Sequence, residues 1–447
     1  MPQYGAMSFL RRGCIALAAL FLLVAPPSQA AEAPLSGRER SAIVGVLGSS
    51  AAGLDDGALI GRLLEHARVE TGQRVRPSAV DHRWTVEPAR RDLAGELRAA
   101  RAEERLSAWL AGLSPAWPQY RALRVARLRY AELAAAGGWP SIPEGTNLRV
   151  GDSGAAVQDL RARLGVEGFS APAPDDPTVF DPGLDAALRA FQSARGLEVD
   201  GVLGPATRRA LNVSAAERLA QIDANLERWR WLPARLPAER VEVDTGAAEA
   251  RLYRDGAVIL PMRAIVGAPK TPTPMFASQI ETIVFNPPWN VPTSIAQGEL
   301  LPAEARSPGY LARRGICWVD GRLQQRPGPD NALGVIKFDL PSPFGVYLHD
   351  TPAKSLFNRA GRALSHGCMR LEKPRELALA LLSPQGGTAE SIEAAVATGR
   401  TSSVRLQRPV PLYVLHWTAW VEADGSVVFR PDIYGWDRKL MRALSKR

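Results

Sequence analysis

The residue types with the clearest chemical potential lie in one hexapeptide, Ser365-His366-Gly367-Cys368-Met369-Arg370. It combines a thiol, an imidazole and a guanidinium, and a second histidine, His349, stands upstream at the end of an apolar run. A cysteine attacks carbonyl carbon as the thiolate, so it needs a base or a positive environment that lowers its pKa. The hexapeptide therefore predicts a thiol nucleophile at Cys368.

Two histidines compete for the role of base. The apolar stretch Gly345-Val346-Tyr347-Leu348-His349 predicts a buried strand whose end presents His349 firmly, with Tyr347 on the same face. His366 is the rival, but a histidine two residues from the cysteine seldom reaches a good thiol–imidazole geometry. We therefore predict His349 as the base and His366 as a substrate-site residue. A purely structural role for His349 is the alternative.

The other polar members of the hexapeptide fit an acyl-transfer site. Gly367 suits a tight turn, and its N–H together with that of Cys368 would stabilise the oxyanion of a tetrahedral intermediate. In an extended segment Arg370 lies on the same side as Cys368, where it can bind a substrate carboxylate through two hydrogen bonds. A surface ion pair of Arg370 with Glu372 or Glu376 is the alternative.

Cysteine and histidine also bind metals, but one cysteine and two histidines lack the paired spacing of a zinc site, so neither a metal nor a cofactor is predicted. The other cysteine expected in the mature chain is Cys317, within Gly315-Ile316-Cys317-Trp318-Val319. We predict that it packs in an apolar environment; a disulfide with Cys368 is the alternative.

The N-terminus has the three-part layout of a secretory signal peptide. Arg11-Arg12 precedes the apolar run from Ile15 to Val24, and small residues follow up to Ala30, where we place the cleavage. An uncleaved anchor is the alternative. No other stretch is long and apolar enough to span a membrane, so the prediction is a periplasmic protein without a stable span after cleavage.

Composition supports a folded, exported protein. The chain has 447 residues, of which 46% are hydrophobic and 23% charged, which predicts two to four globular domains. The signal peptide contains two arginines and no acidic residue, so its removal lowers the formal net charge from +9 to +7. That excess suits an anionic envelope surface, and no arginine–aromatic pattern indicates a nucleic acid partner.

The predicted fold class is multidomain α+β, with a mainly-β domain around Cys368. Helical spacing from Arg90 to Leu113 and from Tyr120 to Ala136 indicates an N-terminal helical scaffold. The predicted boundaries are a signal peptide at 1–30, a helical scaffold at 31–140, a three-helix module at 146–213, a connecting helix at 214–235, a catalytic domain at 239–400 with an irregular lid-like insertion at about 287–343, and C-terminal strands and tail at 401–447.

The small module contains a series of short motifs that are typical of turns and helix ends. Its motifs are Leu148-Arg149-Val150-Gly151-Asp152-Ser153-Gly154, Ala190-Phe191-Gln192, Gly196-Leu197, Val199-Asp200-Gly201 and Gly204-Pro205-Ala206-Thr207. Together they resemble the peptidoglycan-binding module of many bacterial wall enzymes. The resemblance implies contact with the wall, although such modules also serve as spacers.

The catalytic segment resembles a second known family. His349 followed by Ser365 to Arg370 is similar to the signature of the L,D-transpeptidase (YkuD-type) catalytic domain. The supporting pieces are Thr271-Pro272-Thr273-Pro274, Phe285-Asn286-Pro287-Pro288-Trp289-Asn290-Val291-Pro292, Pro327-Gly328-Pro329 and Tyr347-Leu348-His349-Asp350-Thr351-Pro352. The wall module and the insertion resemble the longer Gram-negative branch. Many shorter relatives have glycine where this chain has Asp350.

This resemblance implies an activity and roles for individual residues. Cys368 would attack the L,D bond between the third and fourth stem residues, release D-alanine and pass the acyl group to an amine, usually giving a 3→3 cross-link. His349 would be the base, oriented through a nearby backbone carbonyl. Ser365, Gly367, Arg370 and Tyr347 would belong to the substrate site. Wall-synthesis proteins are candidate partners, and carbapenems would acylate the thiol.

Two other functions stay open from the sequence. Water can resolve the same thioester, which would make the protein an L,D-carboxypeptidase or cysteine peptidase on stem peptides. A non-catalytic wall-binding scaffold would instead require an inert Cys368.

Overall fold

The structure is a computed structural model that describes residues 33–173 and 175–446, so the predicted signal peptide at 1–30 lies outside the described residues. The chain forms two compact units, residues 1–62 and residues 63–447. Within the described ranges, no helix has the length and apolar character needed to cross a membrane.

The described part of the first unit is helical. It contains α1 (Gly37–Leu47), a 3-10 turn at Ser49–Ala51 and the beginning of α2 (Asp56–Glu70). Ser36 and Glu39 form a capping box that satisfies backbone N–H groups at the start of α1. An ion pair of 2.6 Å joins Arg40 on α1 to Asp56 on α2.

The second unit opens with short helices, as helical spacing predicts. They are α3 (Pro77–Val80), α4 (Leu93–Ala102), α5 (Leu106–Ala111) and α6 (Pro118–Ala135). The predicted helical run from Arg90 to Leu113 is therefore two helices. Between them Glu104 adopts a φ of +53°, a left-handed conformation that ends α4 and redirects the chain into α5.

The predicted peptidoglycan-binding module at 146–213 has the three helices that its sequence motifs predict. They are α7 (Ala155–Val166), α8 (Pro182–Ala194) and α9 (Pro205–Leu211). Asp181 caps α8 by accepting the Leu184 N–H at 2.8 Å, and Gly196 reverses the chain after it with a φ of +64°. Leu160, Leu184 and Phe191 are among the side chains of the buried core of this module.

The connecting helix α10 (Ala215–Trp231) joins the module to the catalytic domain. Ser214 and Glu217 form its capping box. Trp229 stacks on Trp417 with ring centroids 4.4 Å apart and planes 12° from parallel, and Trp231 contacts Trp84. Both tryptophans of α10 are therefore packing residues, Trp229 against the segment after the strand Ser402–Leu415 and Trp231 against the N-terminal helical region.

The catalytic domain is built on a nine-stranded sheet. The strands of the described chain are β1 (Arg240–Asp244), β2 (Glu249–Arg254), β3 (Ala257–Gly267), β4 (Phe276–Phe285), β5 (Trp289–Asn290), β6 (Ile316–Val319), β7 (Arg322–Gln325), β8 (Ile336–Asp339), β9 (Leu348–His349), β10 (Ala363–Ser365), β11 (Met369–Leu371), β12 (Ser402–Leu415), β13 (Ala419–Val421) and β14 (Val427–Phe429). The order in the main sheet is β10-β3-β11-β9-β8-β4-β12-β1-β2, and β2 also pairs with β3. That extra pairing closes eight strands into a circuit, each of which contributes to one apolar core.

The predicted insertion at 287–343 is more ordered than its composition suggests. It contains a three-stranded sheet in the order β5-β7-β6, and a helical segment made of α11 (Thr293–Ile295), a π-helix at Ala296–Leu300, α12 (Leu301–Arg306) and α13 (Tyr310–Arg313). A separate apolar cluster holds it together. We call residues 289–325 the capping subdomain. The expectation of an irregular segment is wrong, because proline and glycine here separate short elements.

Two predicted boundaries also differ from the structure. β8 lies inside the predicted insertion yet pairs with β4 and β9 in the main sheet. β12 lies beyond the predicted domain end at 400, but it is a central strand between β4 and β1. After α14 (Pro374–Leu382) and α15 (Ala389–Ala397), the chain thus re-enters the sheet, and the segment predicted as a tail ends in α16 (Trp436–Ser445). The multidomain α+β class is confirmed.

Trp229→Ala tests how strongly α10 is fixed to the catalytic domain. Because the substitution removes a buried aromatic stack, we expect the free energy of unfolding to fall by about 3 kcal/mol. Urea denaturation followed by circular dichroism measures it. Trp318→Ala is the control, since that side chain is 60% exposed and its removal should change the same free energy by less than about 0.5 kcal/mol. Equal effects would contradict the packing role.

Candidate active site

Three adjacent strands present the polar residues of the site. β8 pairs with β9 so that Lys337 lies opposite His349, and β9 pairs with β11 so that His349 lies opposite Arg370. The neighbouring position on each strand carries a fully buried apolar side chain: Phe338, Leu348 and Met369. Because side chains alternate along a strand, Lys337, His349 and Arg370 form one row on the opposite face.

A second row lies beside the first. Two residues along from the first row, the alternation brings Asp339, Tyr347 and Cys368 to the same face. The Tyr347 hydroxyl donates a hydrogen bond to the Cys368 thiol, and the Asp339 carboxylate acts electrostatically on Tyr347. The strand register therefore brings together two of the predicted site residues, Tyr347 and Cys368, in one row, and His349 and Arg370 in the other.

The thiol of Cys368 is held in its protonated form at rest. Burial raises its pKa, because a thiolate loses hydration in the interior. Hydrogen bonds from the Tyr347 N–H and hydroxyl, and the charges of Lys337 and Arg370, act in the opposite direction and favour the thiolate. The site thus stabilises a thiolate once it forms, without maintaining one.

His349 has the protonation state of a general base. Burial, followed by the charges of Arg370 and Lys337, lowers its pKa to about 4, so the imidazole is neutral at physiological pH. Nδ1 lies 2.5 Å from the backbone carbonyl of Asp350, which can only accept, so Nδ1 carries the hydrogen and Nε2 has the free lone pair. The ring also contacts Tyr347, with centroids 5.7 Å apart.

Asp350 uses its side chain elsewhere. Its carboxylate accepts the Val335 N–H at 3.1 Å and pairs with Lys354 Nζ at 2.5 Å. Only its carbonyl faces the His349 ring. Because a backbone carbonyl is present whatever the side chain, aspartate in place of glycine leaves the orientation of the imidazole intact.

Ser365 and Gly367 shape the turn before the nucleophile. The buried Ser365 hydroxyl donates to the Cys368 carbonyl at 2.6 Å and accepts the Gly367 N–H at 3.1 Å. Gly367 has a φ of +116°, which L side chains rarely adopt. The expected contribution of the Gly367 N–H to an oxyanion hole is wrong for this geometry, because Ser365 already uses that donor. Among the described residues, none accepts the Cys368 N–H.

Two threonines brace the same turn from a neighbouring loop. Thr271 Oγ1 donates to the Ser365 carbonyl at 3.0 Å, and Thr273 Oγ1 donates to the Gly367 carbonyl at 2.8 Å. The motif Thr271-Pro272-Thr273-Pro274 contributed to the family resemblance, but the sequence assigned it no physical role. In the structure both threonine hydroxyls donate to backbone carbonyls of the turn that precedes the thiol.

His366 turns toward the capping subdomain. Its Nε2 lies 2.5 Å from Glu299 Oε1 on the π-helix. A second contact joins the same subdomain to the site, because the indole N–H of Trp289 donates to the Tyr347 hydroxyl. The subdomain therefore contacts the site at two residues that flank Cys368 in space.

Arg370 is a cation for which the described residues provide no counter-ion. Its Nε is buried and has no hydrogen-bond partner in the described part of the chain, and Glu372 pairs with Arg263 instead. The alternative ion pair of Arg370 with Glu372 is therefore not formed. A half-buried guanidinium whose buried Nε is an unused donor calls for an anionic partner.

Sequence reasoning missed Lys337, Asp339 and Trp289, which lie in the stretch interpreted as an irregular insertion. One signal was available: Ile336-Lys337-Phe338-Asp339 alternates apolar and charged residues as a half-buried strand does. Cys317 and Cys368 are both free, and Cys317 lies half-buried on β6. The described residues contain no group of three metal-binding side chains.

Comparison with protein families assigns three segments of the chain. Residues 238–405 match the family "L,D-transpeptidase catalytic domain", residues 153–211 match "Putative peptidoglycan binding domain", and residues 61–126 match "Scaffold domain". The first match contains both rows of the site.

Individual relatives agree at the level of domains. A Haemophilus influenzae protein named "Putative L,D-transpeptidase" is 36% identical over 219 residues, which are 44% of each chain. The N-acetylmuramoyl-L-alanine amidase CwlM of Mycobacterium tuberculosis is 45% identical over 80 residues, 16% of this chain and 20% of that protein. The chain thus spans less than half the length of these curated relatives.

Among solved structures, an L,D-transpeptidase from Xylanimonas cellulosilytica is 17% identical, covering 61% of this chain and 98% of its own, with a TM-score of 0.21. A superposition of that quality supports no conclusion about function. Membership of the longer Gram-negative branch stays a prediction. The family matches and the Haemophilus relative confirm the resemblance seen in the sequence: residues 238–405 form an L,D-transpeptidase catalytic domain, and a peptidoglycan-binding domain precedes it in the chain.

Proposed function

We propose that the protein is an L,D-transpeptidase of the bacterial cell wall in which Cys368 carries the acyl group. The observation that carries the proposal is the double row on one face of the sheet. It brings a thiol, a phenol hydrogen-bonded to that thiol and a neutral imidazole together inside a domain of this family.

In the first half of the reaction, the neutral His349 takes the thiol proton of Cys368. The new thiolate is stabilised by the N–H and hydroxyl of Tyr347. Sulfur attacks the carbonyl carbon of the bond between the third and fourth stem residues, and the Cys368 N–H is the available donor for the oxyanion. The carbon–nitrogen bond then breaks, and the imidazolium returns the proton to the leaving amine of D-alanine.

In the second half, an amine replaces D-alanine. Its nitrogen attacks the thioester carbon, the carbon–sulfur bond breaks, and the proton lost by nitrogen passes through His349 to sulfur. When the amine belongs to the diaminopimelate of another stem, the product is a 3→3 cross-link. No cofactor enters either half, because nucleophile, base and oxyanion donor all belong to the chain.

The remaining predicted site residues have supporting roles in this proposal. Arg370 binds a carboxylate of the donor stem, supported by its unused buried donor. Ser365 and Gly367 shape the turn that aims the Cys368 N–H and thiol at the substrate. His366, held by Glu299 of the capping subdomain, contacts the substrate beside Cys368. Tyr347 contacts the substrate next to the thiol.

The wall is the setting of the reaction. A peptidoglycan-binding domain next to an L,D-transpeptidase domain supports action outside the cytoplasm on stem peptides and glycan. The N-terminal pattern supports export through a signal peptide cleaved near Ala30, and a periplasmic location. Wall-synthesis proteins are the partners to test for.

Product analysis tests the reaction. Purified protein is incubated with disaccharide-tetrapeptides, and products are analysed by mass spectrometry. We expect released D-alanine and a dimer joined between two third residues, and neither product with Cys368→Ala. Tripeptide monomer without dimer would instead establish a carboxypeptidase. Wild-type products from Cys368→Ala would establish that the thiol is inert.

The pH dependence of thiol reactivity tests the resting state of the site. In Cys317→Ser protein, alkylation of Cys368 by iodoacetamide should rise continuously from pH 6 to pH 9, because burial raises the thiol pKa and the reactive form is the thiolate. With an imidazole pKa of about 4, His349 adds no step in that range. A plateau of fast alkylation below pH 7 would show a preformed thiolate–imidazolium pair and contradict this picture.

Carbapenem acylation tests whether the thiol can open an acyl donor. We expect intact-mass analysis to show one covalent adduct on the wild-type protein and on Cys317→Ser. Cys368→Ala should show none, because Cys317 lies on β6, outside the two rows that hold His349 and Tyr347. Absence of an adduct on the wild-type protein would count against an accessible, activated Cys368.

A further inference from the structure

Cys368 has a positive charge on each of two sides. Arg370 lies on β11, the strand that begins directly after Cys368, and Lys337 lies on β8, beyond β9. The two cations differ in their surroundings. Arg370 has no counter-ion in the part of the chain that the structure describes, whereas Lys337 Nζ lies 2.5 Å from Asp339 Oδ1. The proposed reaction uses Arg370 for the donor stem and leaves the Lys337–Asp339 pair unexplained.

The pair is next to the reacting atoms. Lys337 Nζ lies 4.4 Å from the centre of the Tyr347 ring, and the hydroxyl of that ring donates to the Cys368 thiol. Lys337 also faces His349 directly across the strand pair. The side chains of Lys337 and Asp339 are 22% and 42% exposed, so a substrate can reach both.

Strand stability does not account for the pair. The backbone of β8 is already fixed by hydrogen bonds to β4 and β9 on its two sides. An ion pair between two partly exposed residues of one strand adds little to that.

The amine that leaves in the first half-reaction and the amine that attacks in the second bind at the same position in the site. Both occupy the same side of the acyl carbon, because the second half-reaction runs the first in reverse with another amine. In the proposed reaction the leaving molecule is an amino acid, with its ammonium and its carboxylate on one carbon. A site that fits this head needs a cation for the carboxylate and an acceptor for the amine, which is the composition of Lys337 and Asp339.

We propose that Lys337 and Asp339 bind the amino-acid head of the group that leaves and of the acceptor that replaces it. This inference rests on the proposed transpeptidase function and specifies its acceptor class: an amine whose carbon also carries a carboxylate. Lys337 binds the carboxylate, and Asp339 accepts a hydrogen bond from the amine. The amine nitrogen then forms its bond to the acyl carbon, the carbon–sulfur bond breaks, and the proton from nitrogen returns to sulfur through His349.

This assignment separates two classes of acceptor. Free α-amino acids, and the amino-acid end of a stem side chain, carry the full head group and should be used well. An isolated amine, such as the end of a lysine side chain, lacks the neighbouring carboxylate and leaves Lys337 without a partner. It should be used poorly even where the amine itself is more reactive.

A competition within one reaction tests the pair. The protein is given disaccharide-tetrapeptide with equal concentrations of D-methionine and D-methioninamide, which differ in the carboxylate alone, and the two transfer products are quantified by mass spectrometry. Their ratio does not depend on how fast the thioester forms, because both acceptors meet the same thioester. We expect Lys337→Met to lower the ratio of acid to amide product about tenfold, and Lys337→Arg to keep it near the wild-type value.

Asp339→Asn provides the second variant. It should lower transfer to both acceptors relative to hydrolysis by water, because a neutral amide accepts the hydrogen bond of the amine more weakly than a carboxylate does, while hydrolysis does not use this contact. Lys373→Met, which removes a half-buried lysine just before α14 whose Nζ donates to the Pro261 carbonyl, is the matched control and should keep the wild-type ratio.

The outcomes separate the two proposals. An unchanged product ratio in Lys337→Met, with transfer intact, overturns the acceptor site and leaves the transpeptidase function standing. If Lys337→Met forms too little product to measure, Lys337→Gln is used in the same competition and judged by the same ratio. Hydrolysis alone in the wild-type protein with every acceptor overturns the transpeptidase function, and the acceptor site falls with it.

Discussion

The register between β8, β9 and β11 is the constraint on which the site depends. A shift of one residue in either pairing would turn the polar side chains inward and bring Phe338, Leu348 or Met369 to the surface. Those apolar side chains are fully buried in the main core, so a shift is strongly disfavoured. The hydrophobic core therefore fixes the positions of the catalytic groups, although it contains none of them.

The same arrangement sets the charge balance of the face. Burial alone raises the pKa of the Cys368 thiol and lowers that of His349, so both groups are neutral at rest. Lys337 and Arg370 lie on either side of His349 within one row and oppose protonation of the imidazole, while both favour a thiolate. In the proposed reaction the cations therefore assist the step in which negative charge appears on sulfur, and the imidazolium formed in that step gives its proton to the leaving amine.

Much of the fold and of the candidate site could be predicted from the sequence. The features that could not be predicted were missed for physical reasons. Local signals located the module helices, because a capping aspartate, a first-turn proline and a glycine beyond the helix each act over a few residues. Cys368 and His349 could be predicted as site residues because their residue types are rare in this chain. Lys337 and Asp339 were missed because β8 has four residues, and its place in the sheet is decided by long-range pairing with β4 and β9. Likewise, no sequence pattern around Gly367 indicates that its N–H donates to the Ser365 hydroxyl.

The capping subdomain contacts two residues beside Cys368, the proposed nucleophile. Trp289 belongs to the partly buried shell of the subdomain core, and its indole donates to the hydroxyl of Tyr347, which in turn donates to the thiol. Glu299 contacts His366, two residues before Cys368. Burial by the chain around the thiol is the main reason that its pKa is raised; the Tyr347 N–H opposes this most, followed by the charge of Lys337 and the Tyr347 hydroxyl. The capping subdomain therefore acts on the thiol through one side chain, Tyr347, whose hydroxyl accepts from Trp289 and donates to sulfur.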